Sequence, residues 1–384
     1  MKVYLDNAAT SAVHPRVFEK MKHFLTEDFG NPSSIHSFGR VVRVALEEAR
    51  ETVAEFINAN PSEIYFTSGG TEANNFVLFG IANSEIKESG RNKVISSKIE
   101  HHSVLDSFEE LSNKGLQIKW LNPDSDSKVN PENVRSALDE STSLVSLMHV
   151  NNETGSVNPI NEISNLLKSK DILFHTDAVQ SFGKFPLDVK ELGVNSLTGS
   201  AHKINGPKGT GFAYVKSGTP LSPLLFGGSQ ERNRRGGTEN VAGIAGFVEA
   251  IRIAKESMNS NFDHARFLKE LLSKGISSID SEGIVLNSAD DSSPFILSVT
   301  FKSGFYNNDS ESMLMYLDIN GVAASNGSAC SSGTVKASHV ILGMGYAPED
   351  AAGTLRFSFG AKNTAAEIEY ALEIIKKMTL KFRK

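Results

Sequence analysis

Short apolar runs and longer amphipathic stretches follow one another along most of the chain. The apolar runs predict strands at residues 3–5, 64–67, 94–97, 144–149, 172–177, 195–198 and 211–215. Apolar residues at helical spacing predict helices that begin at Pro15, at about Val41 and at Val241, the last ending near Ala254. Because strands and helices alternate, the pattern favours an α/β fold with a mainly parallel sheet covered by helices.

The pattern changes after about residue 257. It predicts a strand at 295–301, a helix at 310–317, a second strand at 355–359, and a last helix opened by a capping box at Thr364 and Glu367. A chain of 384 residues is also too long for one compact core. We therefore predict a large domain over 15–257 and a smaller α+β domain formed by 1–14 plus 258–384.

Composition narrows the class of protein. Hydrophobic content is 39% and charged content 22%, as in ordinary globular enzymes, and the net charge of −6 argues against a nucleic-acid partner. No apolar run approaches the roughly 20 residues of a membrane span, and the first residues do not resemble a signal peptide. A single cysteine, Cys330, precludes an intrachain disulfide, so we expect a cytoplasmic protein.

The segment 200–211 places Lys203 on a glycine-rich loop between two predicted buried strands. A lysine in such a place is desolvated, which lowers its pKa and makes its amine a nucleophile for a carbonyl carbon. An ordinary surface lysine in a polar loop is the alternative interpretation.

Other polar residues stand where predicted strands end. The turn before the helix at Gly70 and Thr71 suits an anion, although a plain glycine turn has the same pattern. Asn152 and Asp177 follow two strands, where an open sheet binds ligands, but such an aspartate also often caps a helix. His101 and its neighbour follow a third strand, and a zinc site is disfavoured because adjacent side chains diverge.

Three further features have both a chemical and a structural interpretation. Cys330 lies among small and polar residues, so we interpret it as an accessible, reactive thiol rather than a core residue. Arg356 in an alternating strand would hold a substrate carboxylate, or would be an ordinary surface arginine. The basic, glycine-rich segment 226–240 suits an anion across a subunit boundary, or is a solvated loop.

Taken together, these motifs resemble the NifS/IscS-type cysteine desulfurases, a class V aminotransferase group of fold-type I pyridoxal-phosphate enzymes. The resemblance covers nearly the whole chain, and the ordered set is far more specific than any one motif. The segments that carry it are 4–10, 30–34, 68–75, 100–102, 151–155, 177–180, 200–203 and 328–330.

The resemblance implies roles for individual residues. Lys203 would form a Schiff base with pyridoxal 5'-phosphate, Asp177 would pair with the pyridinium N–H, and Gln180 would bind the phenolic oxygen. His101 would stack on the cofactor ring and move protons. The remaining contacts implied are Gly70, Thr71, Ser200 and His202 for the phosphate, Thr238 for the phosphate of a partner subunit, Asn152 for cofactor or substrate, and Arg356 with Asn31 for the substrate carboxylate.

The resemblance also implies a reaction and partners. L-Cysteine would be converted to L-alanine, with its sulfur left as a persulfide on Cys330 and passed to an iron–sulfur scaffold protein or another sulfur acceptor. Through that persulfide Cys330 would also contact an iron–sulfur cluster, and the chain would form a homodimer. The alternatives are a selenocysteine lyase or an aminotransferase on the same fold, and a non-catalytic sulfur carrier that has kept the fold.

Overall fold

The computed structural model describes residues 1–327 and 337–384, so Cys330 lies outside the described residues. The strands are β1 (Val3–Tyr4), β2 (Ile64–Thr67), β3 (Lys93–Ser97), β4 (Gln117–Leu121), β5 (Thr142–Ser146), β6 (Leu173–Asp177), β7 (Ser196–Ser200), β8 (Gly211–Val215), β9 (Ile284–Leu286), β10 (Ile296–Phe301), β11 (Val322–Ala323) and β12 (Thr354–Ser358).

The helices are α1 (Pro15–Thr26), α2 (Ser37–Phe56), α3 (Gly70–Glu88), α4 (His102–Asn113), α5 (Pro131–Ala137), α6 (Ile160–Leu167), α7 (Val189–Leu192), α8 (Gln230–Asn233), α9 (Val241–Ile279), α10 (Ser310–Ile319), α11 (His339–Gly343), α12 (Pro348–Ala351) and α13 (Ala365–Phe382). Short 3₁₀ helices occupy Pro61–Glu63, Lys168–Lys170 and Ala201–Lys203. None of the helices within the described ranges is long and apolar enough to cross a membrane.

Seven strands form one sheet in the order β2-β8-β7-β6-β5-β3-β4. The neighbouring pairs from β7 to β4 are parallel, whereas β8 runs antiparallel to both of its neighbours. This confirms the predicted α/β fold with a mainly parallel sheet. Because β3, β5, β6 and β7 run in one direction, the residues that follow them meet at one edge of the sheet.

Helix α3 directs its N-terminus toward that edge. It is apolar around most of its circumference, with Phe76, Val77 and Ile81 fully buried, because it packs against strands on one side and α4 on the other. Gly70 begins the helix directly after β2, which leaves the first backbone N–H groups of α3 at the carboxyl edge of the sheet.

A second core lies around the antiparallel sheet β12-β10-β9. It includes Leu5 from the N-terminal segment, Leu268 from α9 and Ile375 from α13, all fully buried. The N-terminal strand joins this half of the molecule, because β1 pairs in parallel with β11. The core around the large sheet and this second core support a division into domains at 15–257 and at 1–14 plus 258–384. The exact boundaries remain a prediction.

Helix α9 connects the two cores and is much longer than its apolar pattern predicted. Its first part packs on α1 and α2 and its last part on α13. Between them, residues 255–264 contain no buried side chain. The apolar periodicity is interrupted there because that stretch of helix lies between the cores, and the sequence-based end near Ala254 was therefore wrong.

Candidate active site

A cavity of about 370 Å³ opens at the carboxyl edge of the large sheet, between it and the second core. It brings together ten of the residues that the sequence singled out. These are Gly70, Thr71, His101, Asn152, Asp177, Gln180, Ser200, His202, Lys203 and Arg356. Their positions in the chain span almost 290 residues, so the fold, not sequence proximity, creates this cluster.

Lys203 ends the 3₁₀ turn that follows β7 and is partly buried. Its Nζ donates to two backbone carbonyl oxygens, at 2.5 Å from Ala8 and 2.8 Å from Ala9. Both acceptors belong to the segment after β1, which crosses from the second core to the cavity. Lys203 is therefore held in the cavity wall, and the interpretation as an ordinary surface lysine was wrong.

Asp177 ends β6 and is 5% exposed. Its Oδ2 accepts a hydrogen bond of 2.7 Å from Asn74 Nδ2, and its Oδ1 accepts the backbone N–H of Val179 at 2.9 Å. Neither donor carries a charge, and the ion pairs found among the described residues do not include Asp177. A buried carboxylate that faces a cavity in this way fits a cationic group such as a pyridinium N–H.

Asn74 connects Asp177 to His101. Its amide nitrogen also donates to Ser103 Oγ at 2.8 Å, and its carbonyl oxygen accepts from Thr198 Oγ1 at 2.6 Å. Ser103 Oγ lies 2.9 Å from His101 Nδ1. All the hydrogen-bonding groups of the Asn74 amide are thus used, which fixes Asp177 and His101 relative to one another.

His101 caps α4, and its Nδ1 accepts the backbone N–H of Ser103 at 3.1 Å. Burial lowers the pKa of His101, and the positive charge of Lys203 acts in the same direction against the opposing effect of Asp177. The lowered pKa favours the neutral ring, and the proton of that form lies on Nε2 because Nδ1 is an acceptor. Stacking of this ring on a cofactor remains a prediction.

A further group of residues in the cavity wall suits an anion. Gly70 opens α3, and a Cβ there would lie 2.8 Å from Val179 Cγ2, so only glycine brings the helix N-terminus this close. Ser200 Oγ is buried and has no hydrogen-bond partner among the described residues. Burial lowers the pKa of His202 to about 4, and its Nδ1 lies 3.2 Å from Thr10 Oγ1. A phosphate fits these donors.

Arg356 lies on β12 and is 3% exposed, so the interpretation as a surface arginine was wrong. Its Nη2 donates to Asp6 Oδ1 at 2.9 Å and its Nη1 to the backbone oxygen of Asn152 at 2.8 Å. Its Nε is buried without a partner in the part of the chain that the structure describes. The guanidinium thus retains a donor for a carboxylate that enters the cavity.

The sequence did not identify Glu153 as part of this site. Its side chain is 2% exposed, and its carboxylate accepts a short hydrogen bond from Ser338 Oγ. On the other side, a Cβ on Gly327 would lie 2.5 Å from Glu153 Oε2. Gly327 and Ser338 are the residues directly before and shortly after residues 328–336 in the chain. The Glu153 carboxylate therefore contacts the chain on both sides of that segment. The signal in the sequence is an acid inside the Asn-Asn-Glu-Thr-Gly motif.

Two predicted residues do not reach the cavity of their own chain. Thr238 is exposed and is absent from the cavity wall. Asn31 is also exposed, and its Oδ1 accepts the backbone N–H of Ser33 at 2.9 Å rather than approaching Arg356. Their roles remain predictions. Within residues 1–327 and 337–384, no group of three or more His, Cys, Asp or Glu side chains is arranged to hold a metal ion.

Comparison with known proteins assigns the family. Residues 3–371 match the family Aminotransferase class-V. The chain is 43% identical over 382 residues to a cysteine desulfurase IscS from Dictyoglomus turgidum, covering 100% of this chain and 95% of that protein.

Solved structures agree with this assignment. A NifS-like protein superposes with a TM-score of 0.90 at 36% identity, covering 98% of this chain and 99% of that one. SspA in complex with cysteine gives a TM-score of 0.82 at 32% identity, covering 95% and 100% respectively. The chain thus belongs to the class-V aminotransferase family, whose pyridoxal-phosphate-dependent members include the IscS and NifS cysteine desulfurases.

Proposed function

We propose that the protein converts L-cysteine to L-alanine and keeps the sulfur as a persulfide on Cys330. One observation carries this proposal. A single cavity holds an amine at Lys203, a buried carboxylate at Asp177 that forms no ion pair among the described residues, and an arginine donor at Arg356, which are the groups that the reaction requires. SspA, which is similar in structure, has been solved in complex with cysteine.

The residues of the cavity would hold the cofactor at both ends. The N-terminus of α3 with Thr71, Ser200 and His202 would bind the phosphate, and Asp177 would bind the pyridinium nitrogen. Gln180 would donate to the phenolic oxygen, and Lys203 would attach the cofactor covalently. Bound pyridoxal phosphate supplies an electron sink for the charge left on Cα of the substrate.

Arg356 would fix the substrate by its carboxylate, with Asn152 beside it. Lys203 Nζ would then remove the proton from Cα and return a proton to carbon at the end of the reaction. The Cys330 thiolate would attack the substrate sulfur. In that step an S–S bond forms and the Cβ–S bond breaks, with the electron pair moving to carbon, which is then protonated to give alanine.

We also propose a homodimer, supported by exposed apolar residues on α1, on α2, in the loop between them and in the loop before α8. The largest are Phe18, Leu25, Phe29, Ile35, Phe38 and Phe226, each more than half exposed. So large an exposed apolar surface favours contact with another protein surface. A second copy of this chain would cover it and bring Thr238 toward the neighbouring phosphate site.

The loop that carries Thr238 is fixed to its own chain by a buried ion pair. Both Nη atoms of Arg50 donate to Glu231, at 2.8 and 3.0 Å, and Glu231 also accepts the backbone N–H of Phe66. A loop fixed so firmly at its base can present Thr238 in a defined position. An iron–sulfur scaffold or another sulfur acceptor as partner, cluster contact through the Cys330 persulfide, and a cytoplasmic location belong to the same proposal.

Purified protein supplied with L-cysteine tests this function. We expect one alanine for each persulfide formed, and no alanine from Lys203→Ala, which also lacks the visible band of covalently bound cofactor. Lys208→Ala, a change at an exposed lysine five residues away, is the matched control. Alanine formation that requires a 2-oxo acid would instead indicate an aminotransferase, and a strict requirement for selenocysteine would indicate a lyase.

A further inference from the structure

Lys184 is a partly buried lysine that the proposed reaction does not use. It lies on the turn after β6, where its Nζ donates to Gln180 Oε1 at 3.2 Å and lies 5.4 Å from the centre of the Phe295 ring. The ion pairs found among the described residues do not include Lys184, so no carboxylate there accounts for its position. Gln180 is its hydrogen-bond partner in this part of the molecule.

The two ends of the Gln180 amide have different partners. Its Nε2 donates to the backbone oxygen of Ala8 at 2.9 Å, and its Oε1 accepts from Lys184. A lysine amine has hydrogens to donate whether or not it is charged, whereas the nitrogen of a side-chain amide cannot accept a hydrogen bond. Lys184 therefore favours the orientation in which Oε1 faces Lys184 and Nε2 faces Ala8, and the second Nε2–H has no partner among the described residues.

The location of Lys184 carries an electrostatic cost. Burial lowers the pKa of Lys184 to about 7, and the nearby charges of Lys203 and Arg356 act in the same direction. The nearby carboxylate of Asp6 forms an ion pair with Arg356 instead of Lys184. The charge of Lys184 also contributes to the lowered pKa of His202. A lysine kept beside two other cations without an acidic partner among the described residues indicates a role that outweighs this repulsion.

We propose that Lys184 is a positioning residue, which holds the Gln180 amide so that an N–H, not the carbonyl oxygen, faces the phenolic oxygen of the cofactor. This inference rests on the proposed role of Gln180. Without Lys184, only the hydrogen bond from Nε2 to the Ala8 oxygen opposes a turn of the amide, and its carbonyl oxygen would face the phenolic oxygen more often. A donor at the phenolic oxygen stabilises its anion and so lowers the pKa of the nitrogen that joins Lys203 to the cofactor.

The test is a pH titration of the visible band of the holoenzyme without substrate. We expect Lys184→Met to raise the midpoint by about half a pH unit or more, as the loss of one hydrogen bond to the anion predicts. Lys184→Arg, which keeps a donor, should restore the wild-type midpoint. Lys190→Met, a change at an exposed lysine of the same segment, is the matched control and should leave it unchanged.

A second pair of variants separates positioning from charge. In a Gln180→Leu background, Lys184→Met should produce a much smaller shift, because only the direct charge effect of Lys184 on Lys203 remains. An equal shift in both backgrounds, or a wild-type midpoint in Lys184→Met, would overturn the proposal. If Lys184→Met loses the cofactor while Lys184→Arg keeps it, the proposal is supported, whereas loss in both indicates a packing role and contradicts it. Failure of the proposed function would appear separately, as wild-type protein that forms no alanine from cysteine.

Discussion

The two ends of the cavity are built in different ways. At the cofactor end, Asp177, Asn74, Ser103 and His101 come from the large sheet and its helices and form a continuous buried hydrogen-bond network. At the substrate end, Arg356 takes its partners from Asp6 and from the loop at Asn152, 350 and 204 residues away in the chain. The first end is fixed within one half of the fold, and the second exists only where several distant segments meet.

This difference predicts separable defects. Changes at the cofactor end should alter the properties of the bound cofactor or the rate of bond cleavage. Changes at the substrate end should leave the visible band of the cofactor intact and affect substrate affinity or sulfur transfer. Three substitutions test this division, in order of decreasing expected effect on activity, and a fourth tests the stability of the large sheet.

Asp177→Asn should lower kcat by at least about 100-fold, because it removes the negative charge that would strengthen the electron sink. Steady-state formation of alanine from cysteine measures this effect, and the band of the Lys203-linked cofactor should persist. Asp171→Asn, a change at a fully exposed side chain, is the control. A kcat within twofold of wild type would show that Asp177 has no electrostatic role.

Arg356→Lys should raise the KM for cysteine by about 10- to 100-fold, as a loss of roughly 1.5–3 kcal/mol of charge-assisted hydrogen bonding predicts. Lysine keeps the charge but not the forked donors. Kinetics of alanine formation provide KM, and Arg135→Lys on the exposed side of α5 is the control. An unchanged KM together with a lost visible band would place Arg356 at the cofactor end and break the comparison.

Glu153→Ala should slow persulfide formation by about tenfold, because one buried hydrogen bond of about 1–1.5 kcal/mol to Ser338 is lost beside residues 328–336. Glu153→Gln should retain most of the rate, since its side-chain carbonyl still accepts from Ser338. Rapid-quench labelling of Cys330 measures the rate, with Glu132→Ala as an exposed control. Equal rates in Glu153→Ala and wild type would contradict a positioning role for this carboxylate.

The fourth substitution concerns stability, not activity. Burial lowers the pKa of His175 from 6.5 to about 3. Between pH 6.5 and pH 3, His175 therefore binds a proton in the unfolded chain but not in the folded protein. This contribution to stability is present above pH 6.5 and is lost as the pH falls toward 3, at about 1 kcal/mol per pH unit.

Burial also lowers the pKa of His149 and of His202 to about 4, and both belong to the same half of the molecule. Urea unfolding at several pH values, followed by the fluorescence of Trp120 on β4, measures the slope of the unfolding free energy in this sheet. His175→Gln should reduce that slope by the contribution of His175, about 1 kcal/mol per pH unit. Identical slopes in the variant and the wild type would refute this assignment.

The sequence predicted which residues meet at the proposed cofactor end because the signals for them are local. Asp177, the turn at Gly70 and the lysine loop each stand directly after a strand, and parallel strands bring such residues to one edge. It did not predict the role of Asn74, because the partners of this side chain, Asp177, Ser103 and Thr198, come from other elements of the fold.

The substrate end was less predictable for the same physical reason. Asp6 contacts Arg356, 350 residues later in the chain, and Glu153 contacts Ser338, 185 residues later. No local sequence pattern predicts contacts over such separations. The long helix α9 was also underestimated, since a stretch without buried side chains has no apolar periodicity. Asn31 and Thr238 do not line the cavity, and their roles remain predictions.

The most direct test of the account is the mass of the Cys330 peptide after a single turnover with L-cysteine. We predict that wild-type protein gains one sulfur atom on this peptide, and that Cys330→Ala gains none while its visible cofactor band stays intact. If Cys330→Ala loses the band, or forms alanine at the wild-type rate, then sulfur transfer is not separate from the cofactor end and the account is contradicted.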